Sequence, residues 1–160
     1  MNYLQFTLIF VKIPFSVIVL FPKKEDLNFN AELTQRWELL VQLKGEVSKA
    51  SEASRRDKVI GHSLDSIIKL ELPEDIKKIV SRYTEELKFI FIVSKVELVD
   101  ILNKSDNVYV SDLLPGVKIF TERHLGQKCE RCWHYFDVTS NTEDNLNCQR
   151  CQDHLQAAGG

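Results

Sequence analysis

The sequence predicts an α+β fold: one long amphipathic helix, a small β-α-β unit and a C-terminal finger built on four cysteines. Three observations carry this. Apolar residues recur at helical spacing between Asn30 and Lys58. A period-two run, a helical run and a second apolar run follow between 63 and 98. Every cysteine falls within 129–151, as two Cys-x-x-Cys pairs. The length of 160 residues suits one ordinary domain or two small ones, and 44% apolar with 28% charged residues is a globular composition. A net charge of −2, from 21 basic and 23 acidic residues, excludes a strong overall field, so any polyanion must be met by a local patch.

The first apolar run, "LQFTLIFVKIPFSVIVLF" (4–21), carries Lys12 and Pro14 in its middle and no basic region before it. A membrane span wants about 20 apolar residues with few charges, and a secretory leader wants a basic start and a small-residue cleavage site. The expectation is therefore two buried strands broken at Pro14, in a soluble chain. Asn30 then suits a helix N-cap, with Glu32 in the first turn. Leu33, Trp37, Leu40, Val47, Ala50 and Ser54 form the apolar stripe of a helix ending near Lys58, with Gly61 as the stop signal. Its other faces carry Lys44, Lys49, Arg55, Arg56 and Lys58 against Glu46, Glu52 and Asp57. That basic surplus suits a solvated face or a phosphate contact.

In "SLDSIIKLEL" (63–72), Leu64, Ile68, Leu70 and Leu72 share one face and Ile67, Lys69 and Glu71 the other, which reads as a half-buried strand. Pro73 opens a helix with Ile76, Val80, Tyr83 and Leu87 as its core stripe. "FIFIVSKVEL" (89–98) reads as a buried strand, completing a β-α-β unit whose crossover is expected to be right-handed. "NVYV" (107–110) and "VKIF" (117–120) add short strands around a turn at "LLPG" (113–116).

Cys129/Cys132 and Cys148/Cys151 are separated by fifteen residues. Two disulfides or one metal site would satisfy four cysteines. Paired Cys-x-x-Cys at this spacing, with no signal for secretion, points to a tetrahedral structural zinc ion. Four thiolates close the coordination sphere, leaving no open position for chemistry, and His124, His134 and His154 are read as bystanders. The finger's few large apolar residues (Trp133, Tyr135, Phe136, Val138, Leu146) are too little to fold it unaided. Metal binding worth roughly 10–16 kcal/mol supplies the difference. Arg131 and Arg150 occupy equivalent places in the two pairs, beside Lys128. They either offset the thiolate charge or grip phosphate. Trp133 either caps the finger's small core, the reading favoured here, or stacks on an unpaired base.

"GQKCERCWHYFDV…CQRC" resembles the C-terminal zinc finger of bacterial-type isoleucine–tRNA ligases, a finger also found in formamidopyrimidine-DNA glycosylases. "RWELLVQLKGEVSKASEASRRDKVIGHSLDSIIKL" (36–70) is similar to the end of the ligase's helical anticodon-binding domain. "ELKFIFIVSKVEL" (86–98) resembles the strand that follows, and "SVIVLFP" (16–22) the run preceding the helix. The resemblance covers about residues 16–155. It implies an unmatched segment at 1–15, the end of the anticodon-binding domain at 16–62, a small α/β junction domain at 63–120 and the finger at 121–160. The ligases' His-Ile-Gly-His and Lys-Met-Ser-Lys-Ser signatures are absent. The chain is therefore expected to be a non-catalytic C-terminal fragment, cytoplasmic, binding the anticodon stem-loop of isoleucine tRNA and one structural Zn²⁺. A separate catalytic portion of the ligase is a possible second partner. Lys44, Lys49, Arg55, Arg56, Lys58, Arg131, Trp133 and Arg150 are the expected tRNA contacts. The alternatives are a zinc-ribbon interaction module, an inert gene remnant and, least favoured because the chain starts Met-Asn-Tyr without a proline nucleophile, a DNA-repair enzyme.

Overall fold

Helix α1 (Ala31–Arg56) is the first element of the fold in a computed structural model, which describes residues 30–102, 108–138 and 146–158. The apolar run 4–21 and the segment 1–15 lie outside the described residues. Leu40, Leu43, Val47 and Ala50, at helical spacing, are buried, as is Ser54. The N-terminal part of the expected stripe is not: Leu33 and Trp37 are 40% and 45% exposed. Gly61 is not the stop. Lys58 takes the left-handed position at φ 59, with Val59 N–H donating to Ser54 O (2.9 Å) and Lys58 N–H to Arg55 O (3.1 Å). This is the Schellman arrangement, with a lysine where glycine is commonest. Gly61 instead donates its N–H to the Asp65 carboxylate (3.0 Å) in the turn leading to the sheet.

The sheet is built around β1 (Ser66–Glu71), whose residues alternate buried and half-buried as the period-two pattern requires. Helix α2 (Glu74–Val80) and the short α3 (Leu87–Phe91) lead to β2 (Lys95–Val99), which pairs with β1 in parallel. β3 (Val108–Val110) and β4 (Lys118–Arg123) form an antiparallel hairpin, and β4 pairs antiparallel with β1, giving the strand order β2-β1-β4-β3. The hairpin turns through Gly116 at φ 82, a conformation that favours glycine.

The expected strand over 89–98 is half wrong, and the reason is physical. A short apolar run satisfies both periodicities, and Leu87 and Phe91, four apart, bury together on a helix. Ile92 ends that helix in the left-handed region at φ 60, and the strand begins only at Lys95.

One core joins these elements. Leu40, Leu43 and Val47 of α1 meet Ile68 and Leu70 of β1, Val80, Leu87 and Phe91 of the crossover, and Ile119 of β4. The sheet's other face carries charge pairs, Lys69–Glu122 (2.8 Å) and Lys118–Glu71 (2.6 Å). α1 also buries a carboxylate, against its reading as an outward acid. Glu46 is 0% exposed, accepts hydrogen bonds from Ser111 Oγ (2.6 Å) and Tyr109 Oη (3.3 Å), and pairs with Lys49 Nζ (2.7 Å). Among the described residues no helix is long and apolar enough to cross a membrane.

Candidate metal centre

β4 runs unbroken to Arg123 and delivers the chain to a two-stranded ribbon, β5 (Gln127–Lys128) paired antiparallel with β6 (Tyr135–Phe136). Cys129 and Cys132 sit in the turn between them. Cys129 N–H donates to His134 O (2.9 Å), and Trp133 N–H to Cys129 O (3.0 Å). The second pair is placed differently. Cys148 precedes helix α4 (Gln149–Ala158) and Cys151 lies in its first turn, with Cys151 N–H donating to Cys148 O (2.9 Å). A ribbon turn thus faces a helix start, rather than two like turns facing each other.

All four sulfurs lie within 4.8 Å of one another, close enough to share one metal ion. Cys132 Sγ and Cys148 Sγ are 3.7 Å apart. A sulfur–sulfur bond needs about 2.05 Å, whereas a tetrahedron with metal–sulfur bonds of about 2.3 Å has edges near 3.8 Å. The residues fit a tetrahedral ion. Cys129 and Cys151 are buried, Cys132 and Cys148 partly so. Burial pushes the Cys129 thiol up, but the backbone N–H groups of Cys132, Cys148 and Arg131 outweigh it and bring the thiol down to about 6. Burial, then the neighbouring sulfurs, push Cys132 up to about 12. Cys129 is thus pulled towards its thiolate and Cys132 towards its thiol, and a divalent cation bound here would displace thiol protons on binding.

The histidines stand outside this cluster. His124 is buried and accepts the Gly126 N–H at Nδ1 (3.0 Å), and its burial lowers its pKa. His134 Nδ1 lies 3.1 Å from Cys132 O, while its Nε2 is buried without a hydrogen-bond partner among the described residues. His154 is exposed on α4.

The finger is fastened to the sheet. Ser94 Oγ donates to Leu64 O and accepts the Tyr135 N–H (2.6 Å), so one hydroxyl ties β6 to the turn before β1. Gly126 permits the ribbon's close return: a Cβ there would stand 2.2 Å from Phe136 O and 2.7 Å from His124 Cε1. Backbone cannot yield to such an overlap cheaply. Gly126→Ala should cost about 2–4 kcal/mol, read as a lower urea midpoint and weakened metal retention; wild-type values for both would refute the argument.

The expected contact residues on α1 do not share one face. At 3.6 residues per turn, Lys44 and Arg55 share one azimuth of α1 and Lys49 and Arg56 another, about 120–140° away. Lys49 is engaged by Glu46 and Arg55 by Glu52 (2.9 Å); Lys44 is half-buried, and Arg56 and Lys58 are exposed. Arg131 Nη1 donates to Cys151 O (3.4 Å), bracing the two halves of the finger. Trp133 does not cap a core. It is 58% exposed at φ 66, with Lys128 Nζ 5.4 Å from its ring. Arg150 lies over the ring of Phe89 on α3, Cζ to centroid 4.6 Å. Phe89 was missed because the run containing it reads as a buried strand; its one signal was the adjacent Lys88.

No family model matches the chain. Curated relatives do. The isoleucine–tRNA ligase of Syntrophotalea carbinolica is 41% identical over 124 residues, 76% of this chain and 13% of that protein. Its counterpart from Dichelobacter nodosus is 38% identical over 124 residues, 77% of this chain and 12% of the relative. That of Caldanaerobacter subterraneus is 34% identical over 137 residues, 84% of this chain and 14% of the relative. The chain thus spans about an eighth of the length of the relatives it matches. Over about three quarters of its own length the chain is homologous to the isoleucine–tRNA ligases.

Proposed function

We propose that this chain is a C-terminal, tRNA-binding piece of an isoleucine–tRNA ligase, held together by one structural zinc ion. Cys129, Cys132, Cys148 and Cys151 hold the ion, and four thiolates leave no open position, so the metal shapes the finger and takes no part in a reaction. The chain activates no amino acid by itself. Its task is to position the anticodon region of isoleucine tRNA, in the cytoplasm, alone or beside the catalytic portion. Residues 16–62 are the end of the anticodon-binding domain, 63–120 the junction domain and 121–160 the finger, with β4 shared across the last boundary.

The observation that carries the RNA reading is Trp133. A bulky residue at positive φ is strained by about 1–2 kcal/mol, and this one is exposed beside a lysine. No core requires it there, whereas an unpaired base stacks on such a ring, worth about 1–3 kcal/mol. Two substitutions separate the roles. Trp133→Ala and Trp133→Gly should both weaken tRNA binding about 5- to 150-fold, while the glycine variant is about 1 kcal/mol the more stable of the two, because only glycine is at ease at this φ. Filter-binding titrations with isoleucine tRNA and an unrelated tRNA, at two salt concentrations, test the function itself. Tighter, salt-dependent binding of isoleucine tRNA is expected; equal or absent binding would leave the zinc-ribbon interaction module in its place.

A further inference from the structure

Phe89 gathers two cations from distant parts of the chain. Lys88 Nζ lies 5.2 Å from its ring centroid and Arg150 Cζ 4.6 Å, the latter 61 residues away in sequence. The His134 ring meets Phe89 edge-on with centroids 5.5 Å apart, fixing the phenyl plane from the finger side. Phe89 remains 40% exposed, Arg150 is exposed and Lys88 half-buried. Lys69, Lys77, Lys95 and Lys118 each hold a carboxylate. Among the described residues neither Lys88 nor Arg150 has a carboxylate within ion-pair distance; both stand against the Phe89 ring, and both stand near enough to His134 to lower its pKa.

This arrangement differs in kind from a solvated basic face. Each cation stands within 5.2 Å of the same ring centroid, so a single stretch of polyanion passing Phe89 meets both charges. The ring also restricts the guanidinium and the ammonium beforehand, so less side-chain freedom is lost when an anion binds. A guanidinium held over an aromatic ring spends none of its five N–H donors on hydrogen bonds to oxygen there, which leaves them for phosphate oxygens. The site joins α3 to α4, so it exists only when the finger is folded onto the sheet.

We propose that Lys88 and Arg150 grip the phosphodiester backbone of RNA, with Phe89 as the positioning residue that holds both cations. This rests on the tRNA-binding reading but moves the main phosphate contact from the α1 flank to the junction of α3 and the finger. It adds Lys88 and Phe89, which neither the spacing nor the charge pattern had singled out.

The test uses the full, zinc-loaded 160-residue chain and transcribed isoleucine tRNA, with Kd measured between about 50 and 200 mM salt. Lys88→Gln and Arg150→Gln should each reduce the slope of log Kd against log salt by about 0.7–0.9, the signature of one lost phosphate contact. Phe89→Leu should raise Kd about two- to fivefold with the slope retained, because it removes the cation–π hold and leaves both charges. Lys78→Gln, an equal loss of charge on α2, should change neither. Should Arg150→Gln unfold the finger, Arg150→Lys keeps the charge and must keep the slope. Wild-type slopes in folded Lys88→Gln and Arg150→Gln variants would overturn the Lys88–Arg150 grip while leaving RNA binding intact. A wild-type chain that binds no tRNA would overturn the underlying reading, and the grip with it.

Discussion

Stripping the metal with excess chelator should unfold residues 127–138 and 146–158 while α1 and the four-stranded sheet persist. The finger's own interior is nearly all cysteine: Cys129 is 0% exposed and Cys151 4%, whereas Trp133, Val138, Leu146 and Leu155 are about half exposed. Remove the ion and those sulfurs become poorly packed thiols on a segment with little other apolar burial. Structural zinc contributes on the order of 10 kcal/mol to such folds, more than the Ser94 hydroxyl bridge and the short β5–β6 ribbon provide at about 1 kcal/mol per hydrogen bond. The main core contains no residue beyond Ile119, so the sheet has no need of the metal. Cys132→Ser should act in the same direction, lowering zinc affinity by orders of magnitude and releasing the finger alone. Amide resonances resolved by NMR check both outcomes. Finger resonances that stay dispersed in chelator, with zinc absent by elemental analysis, would show that packing alone holds the segment.

Glu46→Ala should destabilise the sheet and α1 by about 2–4 kcal/mol. The carboxylate is fully buried and receives Ser111 Oγ and Tyr109 Oη, joining α1 to the β3–β4 hairpin, while Lys49 supplies its counter-charge. Alanine leaves a cavity and removes the acceptor of the Ser111 hydroxyl proton, while the Ser111 oxygen keeps the Leu114 N–H (2.9 Å). Charge is part of the effect. The Lys49 hydrogen bond, then that of Ser111, outweigh burial and bring Glu46 from 4.5 down to about 2. A carboxyl depressed in the folded state stabilises fully above its unfolded value and loses that contribution as pH falls from about 4.5 towards 2. Glu46→Gln should therefore flatten the acid limb of urea stability in that window while costing less than alanine near neutrality. Identical acid limbs for wild type and Glu46→Gln would remove the buried pair from the account.

Several features of this fold are legible in the residues because local rules decide them. The helical repeat from Leu40 to Ala50, the alternation of β1 and the hairpin around Gly116 each follow from a periodicity or a turn residue that no distant contact overrides. The crossover was harder, since a five-residue apolar helix and a buried strand share one composition. Ile92 in the left-handed region, rather than any pattern, ends α3. The cysteine site was readable because spacing fixes which sulfurs can meet; its asymmetry, ribbon turn against helix start, was not, because both halves share the same Cys-x-x-Cys text. Which polar and aromatic side chains stand exposed and unengaged was least readable. Lys49 and Arg55 look free in sequence and are engaged by glutamates three residues away, and Trp133 looks like core and is exposed.

By itself the sequence determined the α+β order of elements, the four sulfurs that converge and the resemblance to isoleucine–tRNA ligases, all properties carried by local spacing and residue type. Only the tertiary structure decided which charges are available. Glu46 goes inward because the β3–β4 hairpin brings Ser111 and Tyr109 to it from more than sixty residues away. Lys88 and Arg150 meet on Phe89 because the finger folds back on the crossover. Whether a charged side chain is free depends on what stands within a few ångströms of its tip, and long-range packing, not neighbouring text, puts those atoms there.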